Sequence, residues 1–230
     1  NIYMHPKEKN KVTSFMKNHI IDNIVPTKWG TVSLLIAMNN LLKEAFKDHD
    51  NQMFMFLSES CLPIKNFNNL NENIINSNKS YFKSMKIDDT SWKRFDYLKN
   101  PDKLGITKKN FKKAETWSII NRNHVNTILK NLTDFMKCFD QTYSTEEHMY
   151  STLIHLKHPD EIIDQSTTIV YWDESGPLYR HPKTFGPFIS KKYKKIIQKL
   201  MQKNKNAFFM RKFQYHENNN VKPFIFNLIK

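Results

Sequence analysis

The sequence predicts an α/β domain with a mixed central sheet flanked by helices. Three observations carry this. Stretches with apolar residues three and four apart alternate with short continuous apolar runs, the pattern of helices interleaved with buried strands. The 230 residues, 39% of them hydrophobic, suffice for one sizeable core. No internal repeat divides the chain, so residues 1–230 are read as a single domain.

Asn1 to His5 reads as the end of a strand, and the natural protein is expected to continue upstream with a first strand of its own. Between Trp29 and Asp48, the residues Leu34, Leu35, Met38, Leu41, Leu42 and Phe46 fall on one face of a helix. Met53 to Leu57 is a continuous apolar run bounded by Asp50-Asn51 and Ser58, which suits a buried strand. Residues 66 to 112 are polar and Asn-rich and are read as a large insertion over one face. Val125, Ile128, Leu129, Leu132, Phe135 and Met136 mark a second helix. A third is expected to open at Ser144 or Thr145, carry Met149, Leu153 and Leu156, and break at His158-Pro159-Asp160. Thr168 to Trp172 and Ala207 to Met210 read as strands, with a basic helix through Tyr193, Ile196, Ile197, Leu200 and Met201 between them. Glu217 to Asn220 is a short polar turn. In such a fold, ligands are taken at the carboxyl ends of the strands.

Lys and Arg total 36 against 22 Asp and Glu, a formal charge of +14, which points to an anionic partner: nucleic acid, a membrane surface or a sugar nucleotide. The richness in Asn, Lys and Ile is what AT-rich coding produces, a second source of the same charge. Cys61 and Cys138 are too few for a disulfide framework and lack metal-ligand spacing to each other or to a His pair. No stretch approaches the roughly 18 apolar residues of a membrane span and no signal-peptide pattern opens the chain, so a soluble domain is expected. Asn78-Lys79-Ser80 and Asn131-Leu132-Thr133 are formal glycosylation sequons, a pattern that an Asn-rich chain also produces by chance.

Several motifs are more specific than composition. In order they are Tyr3-Met4-His5-Pro6-Lys7, Lys28-Trp29-Gly30-Thr31-Val32-Ser33, the run from Phe54 through Ser58-Glu59-Ser60 to Pro63, and Glu115-Thr116-Trp117 ahead of Asn121-Arg122. Glu146-Glu147-His148, the segment from Trp172 through His181-Pro182-Lys183-Thr184-Phe185-Gly186, and Phe209-Met210-Arg211-Lys212-Phe213 follow. Taken collinearly, they resemble the Core-2/I-branching glycosyltransferases, whose animal members include β-1,6-N-acetylglucosaminyltransferases and whose relatives include protein xylosyltransferases and many plant proteins.

The resemblance implies a GT-A-type nucleotide-sugar transferase that inverts the anomeric carbon and, as in the animal members, needs no metal ion or other cofactor. An inverting transfer requires one carboxylate to take the acceptor proton. Glu147 matches the family's base, with Glu146 the second candidate. Read without the resemblance, Ser144-x-x-Glu147 is a helix capping box. Metal-using GT-A enzymes place Asp-x-Asp just after an apolar strand, where this chain has Ser58-Glu59-Ser60; Asp48-His49-Asp50 precedes the strand and is read as a solvated turn. Arg180 and Lys212 match the family's diphosphate-facing cations, and Lys183 shares the loop of Arg180. In a chain this basic, each is equally the kind of residue found simply solvated.

His5 and Trp29 are the candidates for the nucleotide, although either residue type also serves ordinary packing. Trp172, Glu115 and Trp117 match acceptor-side positions, and Trp92-Lys93-Arg94 loosely resembles a basic acceptor-side segment. The implied partners are a UDP-sugar, UDP-N-acetylglucosamine first, and a glycan or glycoprotein acceptor, with a membrane reached only through an upstream anchor. Animal and plant relatives are type II Golgi membrane proteins, while cytoplasmic or viral origin fits the composition equally. Two other readings stand beside this one. Tyr193 among Lys191, Lys192, Lys194 and Lys195 is a pattern that binds nucleic acid, without any signature of the common nucleic-acid folds, and a relative that keeps the fold but only binds sugar would share the same motifs.

Overall fold

The structure is a computed structural model and describes residues 1–172, 181–214 and 220–229. A short helix α1 (Ser14–Lys17) precedes α2 (Val32–Phe46), whose buried face carries Leu35, Leu42 and Ala45 as the periodicity predicts. Strand β1 (Met53–Met55) and β2 (Leu62–Pro63) follow, then α3 (Phe67–Ser77), β3 (Ser80–Tyr81) and α4 (Asp89–Asp96). Next come β4 (Ile119–Asn121), α5 (Arg122–Phe139), α6 (Met149–Lys157), β5 (Ile162–Ile163) and β6 (Thr168–Val170). The chain continues with α7 (Lys191–Lys203), β7 (Phe209–Arg211) and α8 (Val221–Leu228).

The predicted α/β architecture is observed, as two mixed sheets flanked by helices. The first has the order β1-β4-β3-β5, antiparallel except for the parallel pair β3 and β5. The second has the order β2-β7-β6, with β6 and β7 parallel and Ile169 opposite Met210. The largest core lies where α2, α5 and α6 pack on the first sheet, around Leu35, Phe54, Ile120, Ile128, Phe135 and Leu153. A second core, with Ile169, Phe185, Ile197, Met210 and Phe213, holds α7 and α8 against the second sheet. Leu70, Ile74, Tyr81, Ile119, Phe208 and Phe209 form a smaller cluster that draws on both sheets.

Four sequence expectations are corrected. Residues 66–112 are not an insertion over a face, because they supply β3, which lies inside the first sheet between β4 and β5. Asn1 to His5 contributes only an isolated parallel bridge, Met4 to Ile20, and no strand. Of the two openings expected for the third helix, Ser144 lies outside it and Thr145 starts only a 3-10 turn, Thr145–Glu147; the α-helix begins at Met149. The strand expected at Ala207 to Met210 is shifted to Phe209–Arg211, because Phe208 and Phe209 both turn their N–H groups to Thr167 O where β7 meets β6. The turn at Glu217 lies outside the described residues, while Asn220 directly precedes α8.

The basic helix α7 is capped by Ser190, whose hydroxyl accepts the Tyr193 N–H. Tyr193 meets Phe185 edge-on at 5.7 Å, and the Lys183 ammonium sits 5.2 Å over its ring. This aromatic is committed to packing, unlike the open face that stacks a nucleobase. No helix among the described residues is long and apolar enough to cross a membrane.

Candidate active site

Glu147 closes the turn that enters α6. Ser144 takes a left-handed conformation, φ 47°, and its hydroxyl makes no capping bond, so the capping-box alternative is not what forms. Buried hydroxyls shape the turn: Thr142 Oγ1 donates to Phe139 O at 2.8 Å and Thr145 Oγ1 to Thr142 O at 3.0 Å. Ser144 N–H donates to Gly30 O at 3.0 Å, which sets the Trp29-Gly30 loop beside the turn. Gly30 itself has φ +72°, a conformation that a side chain would strain. Trp29 is 81% exposed and meets His181 edge-on, with ring centroids 6.5 Å apart.

The Glu147 carboxylate turns toward α4. Arg94 Nη1 donates to Glu147 Oε2 at 3.0 Å and to His148 Nε2 at 3.0 Å. His148 is buried, stacks on Phe111 at 4.7 Å, and directs Nδ1 to Lys112 O at 2.9 Å. Burial pulls its pKa down to about 4, so the ring is neutral and can accept from Arg94 while donating through Nδ1. Asp88 caps α4 by accepting the Ser91 N–H at 2.8 Å, and that bond holds its carboxyl down at about 2. Glu146 points into the protein: its Oε2 is buried without a partner among the described residues, and burial, with the neighbouring Glu147 charge adding, pushes its pKa up to about 7.

Residues 114–117 lead from this turn toward the second sheet. Ala114 N–H donates to Glu147 O at 2.8 Å, and Glu115, next in the chain, accepts a 2.6 Å bond from Ser166 Oγ. Burial pushes the Glu115 carboxyl up. Trp117 O accepts from Thr167 Oγ1 at 2.6 Å, and the Arg211 guanidinium lies 4.0 Å over the Trp117 ring.

Trp172 and Lys212 follow the carboxyl ends of the parallel strands β6 and β7. Lys183 is drawn to the same edge, donating its N–H to Tyr171 O at 2.8 Å, and Lys212 O accepts the Phe185 N–H at 2.8 Å. Phe213 N–H donates to Ser60 O at 2.9 Å, which brings Ser58-Glu59-Ser60 beside Lys212. Asp48-His49-Asp50 forms a turn in which Asp48 Oδ1 accepts the Asp50 N–H at 2.9 Å.

Of the residues singled out in the sequence, Glu147 and Trp29 share the first neighbourhood. Trp172, Lys183 and Lys212 share the second, and Glu115 and Trp117 sit on the segment between them. His5 is set apart, with Nε2 accepting the Val25 N–H at 3.0 Å and its pKa lowered by partial burial. Arg180 lies outside the described residues. Sequence reasoning missed Arg94 as the partner of Glu147 and Arg211 as the cation on Trp117. For Arg94 the available signal was Asp88, a helix cap six residues before a basic residue; for Arg211 there was none beyond its motif.

The chain spans about half the length of a curated relative, the glycosyltransferase BC10 of Oryza sativa subsp. japonica: the two are 27% identical over 205 residues, covering 75% of the chain and 50% of the rice protein. The profile of the Core-2/I-branching enzyme family matches residues 1–203. That span takes in the Glu147 turn, the 114–117 segment and the Lys183 loop, and the chain belongs to the Core-2/I-branching enzyme family.

Proposed function

We propose that this chain is the transferase domain of a metal-independent, inverting glycosyltransferase of the GT-A type. In this reading it moves a sugar, N-acetylglucosamine first among the choices, from UDP to a hydroxyl of a glycan or glycoprotein. The observation that carries the reading is the state of Glu147. Its carboxylate is partly exposed and held by Arg94 rather than spent on a helix cap, on a turn whose backbone meets the Trp29-Gly30 loop. In the proposed reaction Glu147 takes the proton of the acceptor hydroxyl as that oxygen forms its bond to the anomeric carbon. The bond from that carbon to the diphosphate oxygen breaks on the opposite face, and UDP leaves with the electron pair.

Charge on the departing diphosphate needs fixed cations. Lys212 and Lys183 at the carboxyl edge of the second sheet are proposed for this, with Arg180 as the third. Trp172, Glu115 and Trp117 are proposed for the acceptor, and Trp29 and His5 for the nucleotide.

The test follows UDP release from a panel of UDP-sugars, with EDTA present and with and without β-galactoside or N-acetylgalactosamine acceptors. Release with one donor, undiminished by EDTA and lowered at least about 100-fold in Glu147→Gln, is the expected result. Transfer retained by a folded Glu147→Gln protein removes Glu147 from the role, and acceptor binding without turnover favours a sugar-binding relative instead.

A further inference from the structure

Helix α6 separates two groups of polar side chains. Glu147 stands at its amino end, and at the other end, nine residues and about 14 Å further on, lies a cluster that the transfer reading leaves unused. His124, in the first turn of α5, is fully buried. Its Nε2 is 3.1 Å from Glu161 Oε2 and its Nδ1 2.7 Å from Ser80 Oγ. His158, which ends α6, has Nδ1 3.4 Å from Glu161 Oε1 and Nε2 2.9 Å from Thr127 Oγ1. One ligand atom from each of His124, His158 and Glu161 lies within 4.8 Å of the other two.

Both imidazoles are divided in the same way: one nitrogen is held by a hydroxyl and the other faces the same carboxylate. A metal-ligating histidine is oriented like this, its outer N–H anchored and its inner lone pair aimed. Ser80 Oγ already accepts the Asn121 N–H at 2.9 Å and can also accept from His124 Nδ1, which leaves Nε2 free to ligate. Bonds of about 2.0–2.1 Å in tetrahedral geometry put ligand atoms roughly 3.3 Å apart. The imidazoles lie 3.1 and 3.4 Å from the two opposite oxygens of Glu161, and one ligand atom from each residue falls within 4.8 Å of the others, so a small closure of the cluster around an ion reaches that spacing.

The scaffold around the cluster is fixed by the backbone. Asn121 Oδ1 accepts the His124 N–H at 2.7 Å, Ser80 N–H donates to Glu161 O at 3.2 Å, and Glu161 N–H donates to His158 O at 3.2 Å. We propose that His124, His158 and Glu161 bind a zinc ion that ties the start of α5 to the turn between α6 and β5. Two imidazoles and one carboxylate favour zinc over the oxygen-seeking magnesium and calcium. Glu161 is 48% exposed, so water reaches the fourth position. The ion is remote from Glu147, and the inference does not depend on the transferase reading.

Chelator-stripped protein titrated with zinc chloride in a calorimeter, with thermal unfolding in parallel, tests the site. One ion per chain and a Tm that rises to saturation are expected, together with a cobalt(II) visible spectrum of tetrahedral character. Because His124 is buried and its replacement risks misfolding, the variants are His158→Ala and Glu161→Gln, each accepted only with wild-type circular dichroism. Each is expected to weaken zinc at least about tenfold, and Thr127→Val, which removes only the hydroxyl behind His158, by about tenfold. Absence of saturable binding overturns the proposal, as does one-to-one binding that neither His158→Ala nor Glu161→Gln weakens.

Discussion

Arg94 holds Glu147 and His148 with one nitrogen: its Nη1 lies 3.0 Å from Glu147 Oε2 and 3.0 Å from His148 Nε2. The proposed base is therefore oriented by a cation from another helix, and that cation is in turn fixed by a neutral, buried imidazole. Arg94→Ala is expected to lower kcat by about 10- to 100-fold, the scale of a misplaced catalytic group, while the affinity for the donor nucleotide changes little. Arg94→Lys should recover only part of the loss, because a shorter side chain with a more strongly hydrated ammonium has to reach the place that Nη1 holds between Glu147 and His148. A kcat within twofold of wild type in Arg94→Ala would take Arg94 out of the arrangement.

Glu146 and His148 give stability two opposed dependences on pH. With a pKa raised from 4.5 to about 7, folded Glu146 keeps a proton that the unfolded chain has released, so stability falls as pH rises through that window. With a pKa lowered from 6.5 to about 4, His148 lacks a proton that the unfolded chain holds, so stability rises with pH through its window. The two slopes offset one another where they overlap. Glu146→Gln removes the Glu146 slope: its Tm should climb more steeply than wild type from pH 4 to 6.5, and above pH 7 it should exceed wild type by the equivalent of about 1–3 kcal/mol. Parallel Tm profiles for the two proteins would contradict the burial of Glu146.

Asp88 acts on the site through α4. It accepts from both the N–H and the hydroxyl of Ser91, each at 2.8 Å, and so sets the first turn of the helix that carries Arg94. Asp88→Ala is expected to cost about 1 kcal/mol in urea unfolding and to lower kcat with it, and Asp88→Asn, which can still cap, should restore most of both.

Deep in the main core, Tyr150 Oη donates to Asn39 Oδ1 at 2.6 Å and its ring stacks on Phe56 at 6.1 Å. Tyr150→Phe keeps the stack and leaves a buried amide oxygen unpaired. The expected loss is about 1–3 kcal/mol, measured by chemical denaturation, with no change in the KM of any substrate.

Much of the fold was legible because the long elements bury one face each. Leu35 and Leu42 in α2, Val125, Ile128 and Leu132 in α5, and Ile197 in α7 all fall where helical periodicity puts them. The strands were harder to see, since each is only two or three residues long and too short to show a period. Strand β4 illustrates this: Asn121 is both its last residue and the cap of α5, so the strand merges into the helix signal with no turn between. Strand β3 hides in an Asn-rich stretch because Ser80 and Tyr81 are buried by their neighbours rather than by any apolar run.

The sequence alone determined the long helices α2, α5 and α7, the basic charge, and the collinear motifs by which the chain resembles its family, because these depend on residue type and order along the chain. Tertiary structure alone decided what Glu147 does with its carboxylate. Ser144-x-x-Glu147 is compatible with a local cap and with a carboxylate left free for a partner elsewhere in the fold. With Ser144 left-handed and bound through its N–H to the Gly30 carbonyl the cap does not form, and the Arg94 guanidinium takes the carboxylate instead. Gly30 and Arg94 come from positions remote in sequence, and only folding brings their hydrogen bonds within reach of that turn.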